Sequence, residues 1–538
     1  MIRPYRPGQL YRVARTLNAW GHGTAGGTTT LADRFRDETG LVDDLGSLTF
    51  GELHRRSNAL ARGLAHLGVS EGDPVGVLCR NHRYLVEVSI AVAKLGADVL
   101  YLNTSFSGPQ VADVLAAEGA VGLVYDDEFE GHAASLPEHV ERVLAWTGDA
   151  VTHPPVAGSE TAPGLGSTRT TATCEDLVVS WPADDLTPPQ RHSRTLILTS
   201  GTTGHPRGAA RERGNIGAAV ALLSGLPLRH RQVTHIAAPL FHTWGWAHFQ
   251  LGMLLGSTLV LTRRFDPRGC LELMERHRCD SLIAIPVMLQ RILTEAGPDS
   301  GAPTTYDLSA LHVTAVSGSA LTGELAQRWM DAFGDTLHNV YGSTEVAWVS
   351  IAGPADLRAA PGTAGHPPHG TKMQVLDDSG DVVPLGQTGR IFVRNSMLFE
   401  GYSGGGSKEM AGRLMATGDV GRLDADGRVF VEGRDDDMVV SGGEKVFPQE
   451  VEDCLAAHSA VADVAVVGVA DEEFGQRLRA FVVRRPTESG VDSVSEADLQ
   501  EHVRARLARY KVPREVAFVD ELPRNATGKI MRRELPRD

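Results

Sequence analysis

The chain of 538 residues carries a formal charge of −15, with 42% hydrophobic and 6% aromatic residues. That length predicts one large domain with at least one smaller, and the composition is that of a soluble globular protein without long disorder. The acidity argues against a general nucleic-acid binder, whose phosphate backbones reward a basic surface, but leaves room for a local cationic site that holds an anion.

The opening segment, MIRPYRPGQLYRVARTLNAW, has no apolar core of the kind a secretory leader needs. Cys79, Cys174, Cys270, Cys279 and Cys454 are scattered with no CxxC pair, which reads as free thiols in a reducing compartment. The longest apolar stretches, such as LGMLLGSTLVL near residue 256, are too short to cross a bilayer. A cytoplasmic protein is expected, with peripheral membrane contact still open.

Short runs rich in Val, Ile and Leu then recur: PVGVLC (74–79), VGLVYDD (121–127), RTLILTS (194–200), THIAAP (234–239), STLVLTRRF (257–265), DSLIAIP (280–286) and LHVTAVSG (311–318). Helix-period stretches such as FGELHRRSNALARGLAHLG and LTGELAQRWMDAFG lie between them. This alternation predicts an α/β domain of parallel strands buried on both faces, with ligands held where strands run out into Gly-, Ser- or Pro-bearing loops. Residues 153–174 read as a surface loop, and SGGGS (403–407) as a linker. From about Gly433 the texture changes. A charged, glycine-punctuated joint, GRDDDMVVSGGEKVFPQEVE, leads into the strand-like VADVAVVGVA and LRAFVVRR, a helix near DLQEHVRARLARY, and EVAFVDEL. The predicted division is 1–433 for a large α/β domain and 434–538 for a small, mobile α+β domain.

The stretch LILTSGTTGHPRGAA (196–210) sets a strand ahead of Thr199, Ser200, Gly201, Thr202, Thr203 and Gly204, with Arg207 just beyond. Backbone amides freed by glycine, flanked by hydroxyls, make a concave nest for phosphate oxygens. The Walker pattern does not fit, and a flexible polar loop is the lesser alternative for the stretch on its own.

Further stations decide between these. NVYGSTEVAW (339–348), MATGDVGRLDADGRVFVEGRDDD (415–437) and LPRNATGKIMRREL (522–535) follow in order. Together with the loop, the set resembles the adenylate-forming superfamily of acyl-CoA synthetases, adenylation domains and luciferases, from LTFGEL (48–53) to NATGK (525–529). PLFHTWGWAHF, SGSAL, YGSTEV and SGGEKVFPQEVE are most similar to the fatty acyl-CoA ligase versions.

The resemblance implies two half-reactions. A carboxylate attacks the α-phosphate of ATP to give acyl-AMP and pyrophosphate, and the thiol of CoA then displaces AMP. It implies that Lys529 bridges carboxylate and α-phosphate, that Thr344 donates to the α-phosphate, and that Glu345 holds Mg2+. Asp419 would accept the ribose hydroxyls with Arg434 nearby, Tyr341 would stack on adenine, and Ser319 would flank that ring. Asp436 resembles the hinge about which the small domain rotates, and Gly442 and Gly443 the glycines of the pantetheine tunnel. His242 resembles a gate between acyl pocket and tunnel, though a lone histidine there is as readily a packed core residue. Trp244, Trp246, Trp348 and Met288 are expected near an apolar acyl pocket. The family's usual lysine is replaced by Arg207, a planar fork in place of a point charge. The expected activity is ligation of a medium- or long-chain fatty acid, or a similar apolar acid, to CoA, with a homodimer possible. A carrier-protein thiol or an amine as acceptor, a non-fatty oxyanion as substrate, and an inactive ligand-binding homologue are the alternatives.

Overall fold

A computed structural model describes residues 7–134, 136–148, 171–199, 207–210, 216–296, 306–399, 401, 407–441, 444–471, 475–485, 494–525 and 528–536. Two large sheets carry the α/β part. In the first, strands run in the order Ser350–Ala352, Leu337–Tyr341, Val313–Val316, Ser281–Ala284, Val233–Ile236, Thr258–Val260, Thr39–Asp43 and Gly46–Thr49. All its pairings are parallel except those of the two edge strands. The second orders Ala172–Thr173, Glu141–Leu144, Gly122–Tyr125, Pro74–Leu78, Asp98–Tyr101, Thr195–Thr199 and Arg207–Ala210, with only the last antiparallel. The apolar runs become strands because their residues are covered on both faces: Ser281–Ala284, Val313–Val316 and Gly122–Tyr125 are buried throughout.

Helices Phe50–His66, Arg83–Lys94 and Thr243–Leu255 send Leu53, Leu60, Leu85, Val86 and Phe249 into one core shared by both sheets. The first of these starts at a reciprocal cap. The amide of Glu52 donates to the Thr49 hydroxyl at 3.1 Å, and the Thr49 amide donates back to the Glu52 carboxylate at 2.8 Å. A smaller antiparallel sheet follows, in which Leu414–Leu423 pairs with Gly389–Arg394 on one side and Val429–Arg434 on the other.

A fourth sheet, built after residue 438, pairs Val461–Asp471 with Gly475–Arg484 and adds Glu515–Phe518 in parallel. It buries Val464, Val466, Leu478 and Leu499 on one face and Ala465, Val467 and Phe481 on the other. This smaller C-terminal α+β unit is docked on the large one. The Gln290 amide donates to the Ala462 carbonyl, and Arg485 pairs with Glu324 at 3.2 Å.

Two sequence expectations need correction. The helix near 498–510 is Glu496–Arg504. Ser495 caps its start, Leu507 turns back toward the C-terminal core, and a single tight turn at Arg509–Lys511 precedes Pro513. Of the loop expected at 153–174, residues 153–170 lie outside the described set, while Ala172–Thr173 is a strand and Cys174 opens a helix capped by Thr173. Helices Pro7–Trp20 and Thr24–Arg34 occupy an N-terminal stretch to which no element had been assigned. Among the described residues, no helix is long and apolar enough to cross a membrane.

Candidate active site

Parallel strands bring their carboxyl ends to one edge, and the loops leaving that edge line a cavity of about 1330 Å³. His242, Thr243 and Trp244 come from beyond strand Val233–Ile236, Pro286 and Val287 from beyond Ser281–Ala284, Ser317 to Ser319 from beyond Val313–Val316, and Gly342 to Glu345 from beyond Leu337–Tyr341. The small antiparallel sheet adds Asp419 and Arg434, and the C-terminal unit adds Lys529. Sequence reading therefore named eight residues that meet in one cavity: His242, Ser319, Tyr341, Thr344, Glu345, Asp419, Arg434 and Lys529.

Strand register sets Asp419 opposite Arg434, whose guanidinium lies 3.8 Å from the carboxylate. The Tyr341 hydroxyl donates to the other Asp419 oxygen at 2.5 Å. Burial pushes the Asp419 carboxyl above the usual aspartate range, with Tyr341, Arg434, Lys529 and Lys408 pulling the other way. Burial, and then the Asp419 charge, push the Tyr341 phenol well up, so the pair shares one proton donor and one buried acceptor.

Glu345 accepts from the Ser343 hydroxyl at 2.8 Å, and its carbonyl accepts from the Phe399 amide at 2.8 Å. The Thr344 and Thr243 hydroxyls are 3.4 Å apart. The tight path of this loop is visible in Ala347, a non-glycine residue at a φ of +61°.

Lys529 follows a turn in which the Gly528 amide donates to the Asn525 carbonyl at 2.8 Å and the Lys529 amide donates to the Asn525 side chain at 2.9 Å. By area the residue is exposed, because the cleft is open to solvent. Its ammonium end is nevertheless crowded by protein. Desolvation and the Arg434 guanidinium hold its pKa below the ordinary lysine value, against the pull of Asp437 and Asp419.

His242 sits at the start of helix Thr243–Leu255, its ring 4.5 Å from that of Phe241. Its Nε2 is buried and has no hydrogen-bond partner among the described residues, and desolvation lowers its pKa to about 4. Trp244, Trp246 and Trp348 line the cavity as expected, whereas Met288 points into the main core and is not in the lining. The first turn of its helix directs Val287 to the cavity instead.

Ser200, Gly201, Thr202, Thr203 and Gly204 lie outside the described residues, as do Gly442 and Gly443. The neck of the 200–206 connection is described: Thr199 and Arg207 face each other across an antiparallel pair. Asp436 lies in the turn Asp435–Asp437 that follows strand Val429–Arg434.

Two cavity residues carried no sequence signal. Lys408 reaches the carbonyl of Thr417 at 3.3 Å beside Asp419. Arg532 is held by Glu452 at 2.7 Å and by Asp437 at 3.6 Å. Away from the cavity, the fold gathers Cys79, His82 and Asp126, whose ligand-type atoms lie within 4.8 Å of one another. There the His82 Nε2 and the Arg80 amide bond the Asp126 carboxylate at 2.8 and 3.0 Å, a buried hydrogen-bonded core.

Comparison with known proteins identifies the family and its relatives. The family described as AMP-binding enzyme matches residues 29–403, and its C-terminal domain matches residues 450–529. A feruloyl-CoA synthase from Amycolatopsis sp is 33% identical over 497 residues, covering 91% of this chain and 94% of that protein. The fatty acid–[acyl-carrier-protein] ligase ScoC from Streptomyces coeruleorubidus is 30% identical over 508 residues, 91% of each chain. The solved structure of the anthranilate CoA ligase AuaEII with anthranoyl-AMP superposes with a TM-score of 0.81 at 27% identity, covering 95% of this chain and 96% of that one. With both family domains matched in order, and relatives aligned over nearly their full lengths, the chain belongs to the AMP-binding enzymes, the adenylate-forming superfamily of AMP-forming acyl-CoA ligases.

Proposed function

We propose that the protein activates an extended apolar carboxylic acid, a medium- or long-chain fatty acid or an acid of similar shape, as its acyl adenylate and passes the acyl group to the thiol of CoA. The observation that carries this reading is the docked C-terminal loop. It sets Lys529 in the same cavity as Asp419, Arg434, Thr344 and Glu345, and that cavity is lined as well by the apolar Trp244, Ala247 and Leu251.

The chemistry meets a plain obstacle, because carboxylate and phosphate repel. Unit charges about 4 Å apart cost roughly 1–4 kcal/mol at effective dielectrics between those of water and a protein surface. In this reading the Lys529 ammonium sits between the two anions and offsets that repulsion where charge accumulates. Thr344 donates to the α-phosphate, and Asp419 accepts the ribose hydroxyls. Arg434 then balances the buried carboxylate, Tyr341 and Ser319 border the adenine, and Ser200 to Gly204 with Arg207 embrace the outer phosphates. The oxygen donors around Glu345 suit a hard cation that keeps most of its waters, so Glu345 would hold Mg2+, which supplies charge neutralisation to the phosphates when bound. The carboxylate oxygen attacks phosphorus, and the bond to pyrophosphate breaks. The CoA thiol then attacks the acyl carbon, AMP leaves, and the thiol proton passes to solvent or to the departing phosphate.

Rotation about Asp436, at the joint near residue 434, would carry Lys529 away and bring Gly442 and Gly443 to line the thiol's path. His242, neutral at physiological pH, would stand between the acyl group and that path. Pyrophosphate exchange over a panel of acids tests the first half, and no exchange with any acid refutes the reading. AMP release with CoA, with a carrier protein and with neither tests the acceptor. A carrier-protein thiol is the second reading, favoured by the full-length likeness to the ligase ScoC.

A further inference from the structure

Beside Asp419 stands a cation to which no step of the proposed reaction assigns a part. Lys408 lines the cavity just ahead of strand Met410–Ala411, which turns back at Gly412 and pairs with the start of Leu414–Leu423. The register of this hairpin sets Met410 opposite Met415, and the Ala416 amide donates to the Glu409 carbonyl at 2.9 Å, so the chain carries Lys408 to the level of Thr417. Thr417 then serves two neighbours. Its carbonyl accepts from the Lys408 ammonium at 3.3 Å, and its hydroxyl accepts from the Asp419 amide at 3.0 Å. Between Thr417 and Asp419, Gly418 presents bare backbone at a φ of +86°. A Cβ there would lie 3.2 Å from Lys408 Nζ and 3.4 Å from Arg434 Nη2. Two cations from separate segments thus close over one glycine at the side of Asp419. Among the described residues Lys408 makes no ion pair, and the adjacent Glu409 is held by Arg390.

We propose that Lys408 is a positioning residue for the nucleotide, its charge keeping the Asp419 carboxylate ionised so that it can accept the ribose hydroxyls. The inference rests on the adenylation reading and adds a residue to it. Burial pushes the Asp419 carboxyl up, and Tyr341 already donates to one of its oxygens, so only the ionised form keeps acceptors for two further hydroxyls. The groups that face it are Tyr341 from strand Leu337–Tyr341, Arg434 from Val429–Arg434, Lys529 from the C-terminal loop and Lys408 from the hairpin. Rotation about Asp436 would carry Lys529 away. Lys408 precedes that joint, and would hold the carboxylate charged through both half-reactions.

The test is binding of ATP and of 2′,3′-dideoxyATP, each with Mg2+, to the full-length protein by titration calorimetry at pH 6 and pH 8. Lys408→Met keeps the stem and removes the charge, so the carboxyl stays protonated to higher pH. The variant should bind ATP about tenfold more weakly than the parent at pH 6 and within about threefold of it at pH 8. With the dideoxy nucleotide, which has no ribose hydroxyl to donate, variant and parent should agree within about threefold at both pH values. Lys408→Arg, which restores the charge, should bring ATP binding at pH 6 back to within about threefold of the parent. Lys408→Gln gives the same comparison should Lys408→Met melt early. An equal loss for both nucleotides, a loss independent of pH, or no loss at pH 6 would overturn this role while leaving adenylation standing. Failure of the parent protein to bind ATP at either pH would overturn the adenylation reading, and the role of Lys408 with it.

Discussion

Gly528 offers a way to disturb the docked loop without touching a charged group. It sits at a φ of +74°, and a Cβ there would come within 2.7 Å of Val287 Cγ1, which lines the cavity, and 2.8 Å of Ile285 Cδ1 in the core of the large domain. Gly528→Ala therefore carries two costs in the docked state: about 1–2 kcal/mol for an L-residue in the left-handed region and about 1–3 kcal/mol for overpacking. Together these amount to roughly 2–5 kcal/mol against the pose that presents Lys529, which lowers the adenylation rate by about 30- to 4000-fold at about 1.4 kcal/mol per factor of ten.

The assay is pyrophosphate exchange, compared with thioester formation from added acyl adenylate, a step for which the proposed pose has moved the loop away. The first should fall by that factor and the second by severalfold at most. The double variant Gly528→Ala, Lys529→Ala should be no slower in exchange than Lys529→Ala alone, since the glycine acts through the lysine it places. Full-rate exchange by Gly528→Ala, or losses in the two variants that multiply, would refute the reasoning.

Lys529→Ala should lower exchange by about 10²- to 10³-fold or more, the usual effect of removing one aimed cationic or hydrogen-bond donor, with little change in melting temperature because the side chain is exposed. Because its ammonium is held below the ordinary lysine value, exchange should decline at high pH earlier than an unperturbed lysine would dictate; a decline only beyond the ordinary lysine range would contradict this. Arg207→Lys should change the KM for ATP severalfold while preserving turnover, and identical values for both would make the substitution silent. Burial holds His54, His235, His242 and His248 at about 4 in the folded protein, against an ordinary 6.5. The unfolded chain binds the extra protons in that window, so stability is full above about pH 6.5 and declines as pH falls toward 4. For each fully buried ring, His235 and His248, the loss is about 3 kcal/mol. Urea unfolding at pH 7.5, 5.5 and 4.5 reads this directly, and a flat stability profile would refute it.

Much of the large fold was legible because its strands are covered on both faces and so read as unbroken apolar runs. Each run from 74–79 to 311–318 overlaps a strand of the two main sheets. The loops leaving Val313–Val316 and Leu337–Tyr341 were legible for a related reason: glycine and hydroxyl residues directly after a buried strand are conspicuous. What stayed hidden depends on partners distant in sequence. The hydroxyl of Tyr341 reaches Asp419 across 78 residues, and Lys408 stands in a stretch with no pattern of its own. Helix Thr24–Arg34 begins TAGGTTT, a poor helix by intrinsic propensity, and is held by packing against Thr243–Leu255. Its glycines carry no helix signal until that packing partner is known.

The acidic chain and its anionic substrates are reconciled by how the cleft distributes cations. Arg434 leans on Asp419, Arg524 is paired with Asp463 at 2.7 Å and Arg532 with Glu452 at 2.7 Å, so these guanidiniums are oriented and partly neutralised before any ligand arrives. Among the described residues the Lys529 ammonium makes no ion pair. The charges that act on it oppose one another, Arg434 and Arg532 against Asp437 and Asp419, and desolvation leaves it less stable charged than in water. A cation in that state gains most from an anion placed beside it, because both desolvation and like-charge crowding are relieved together. Gly528 lets the loop approach the large domain closely enough to bring this ammonium to the cavity, and undocking would remove it. One glycine at a positive φ thereby couples the position of the small domain to the electrostatics of the reaction it permits.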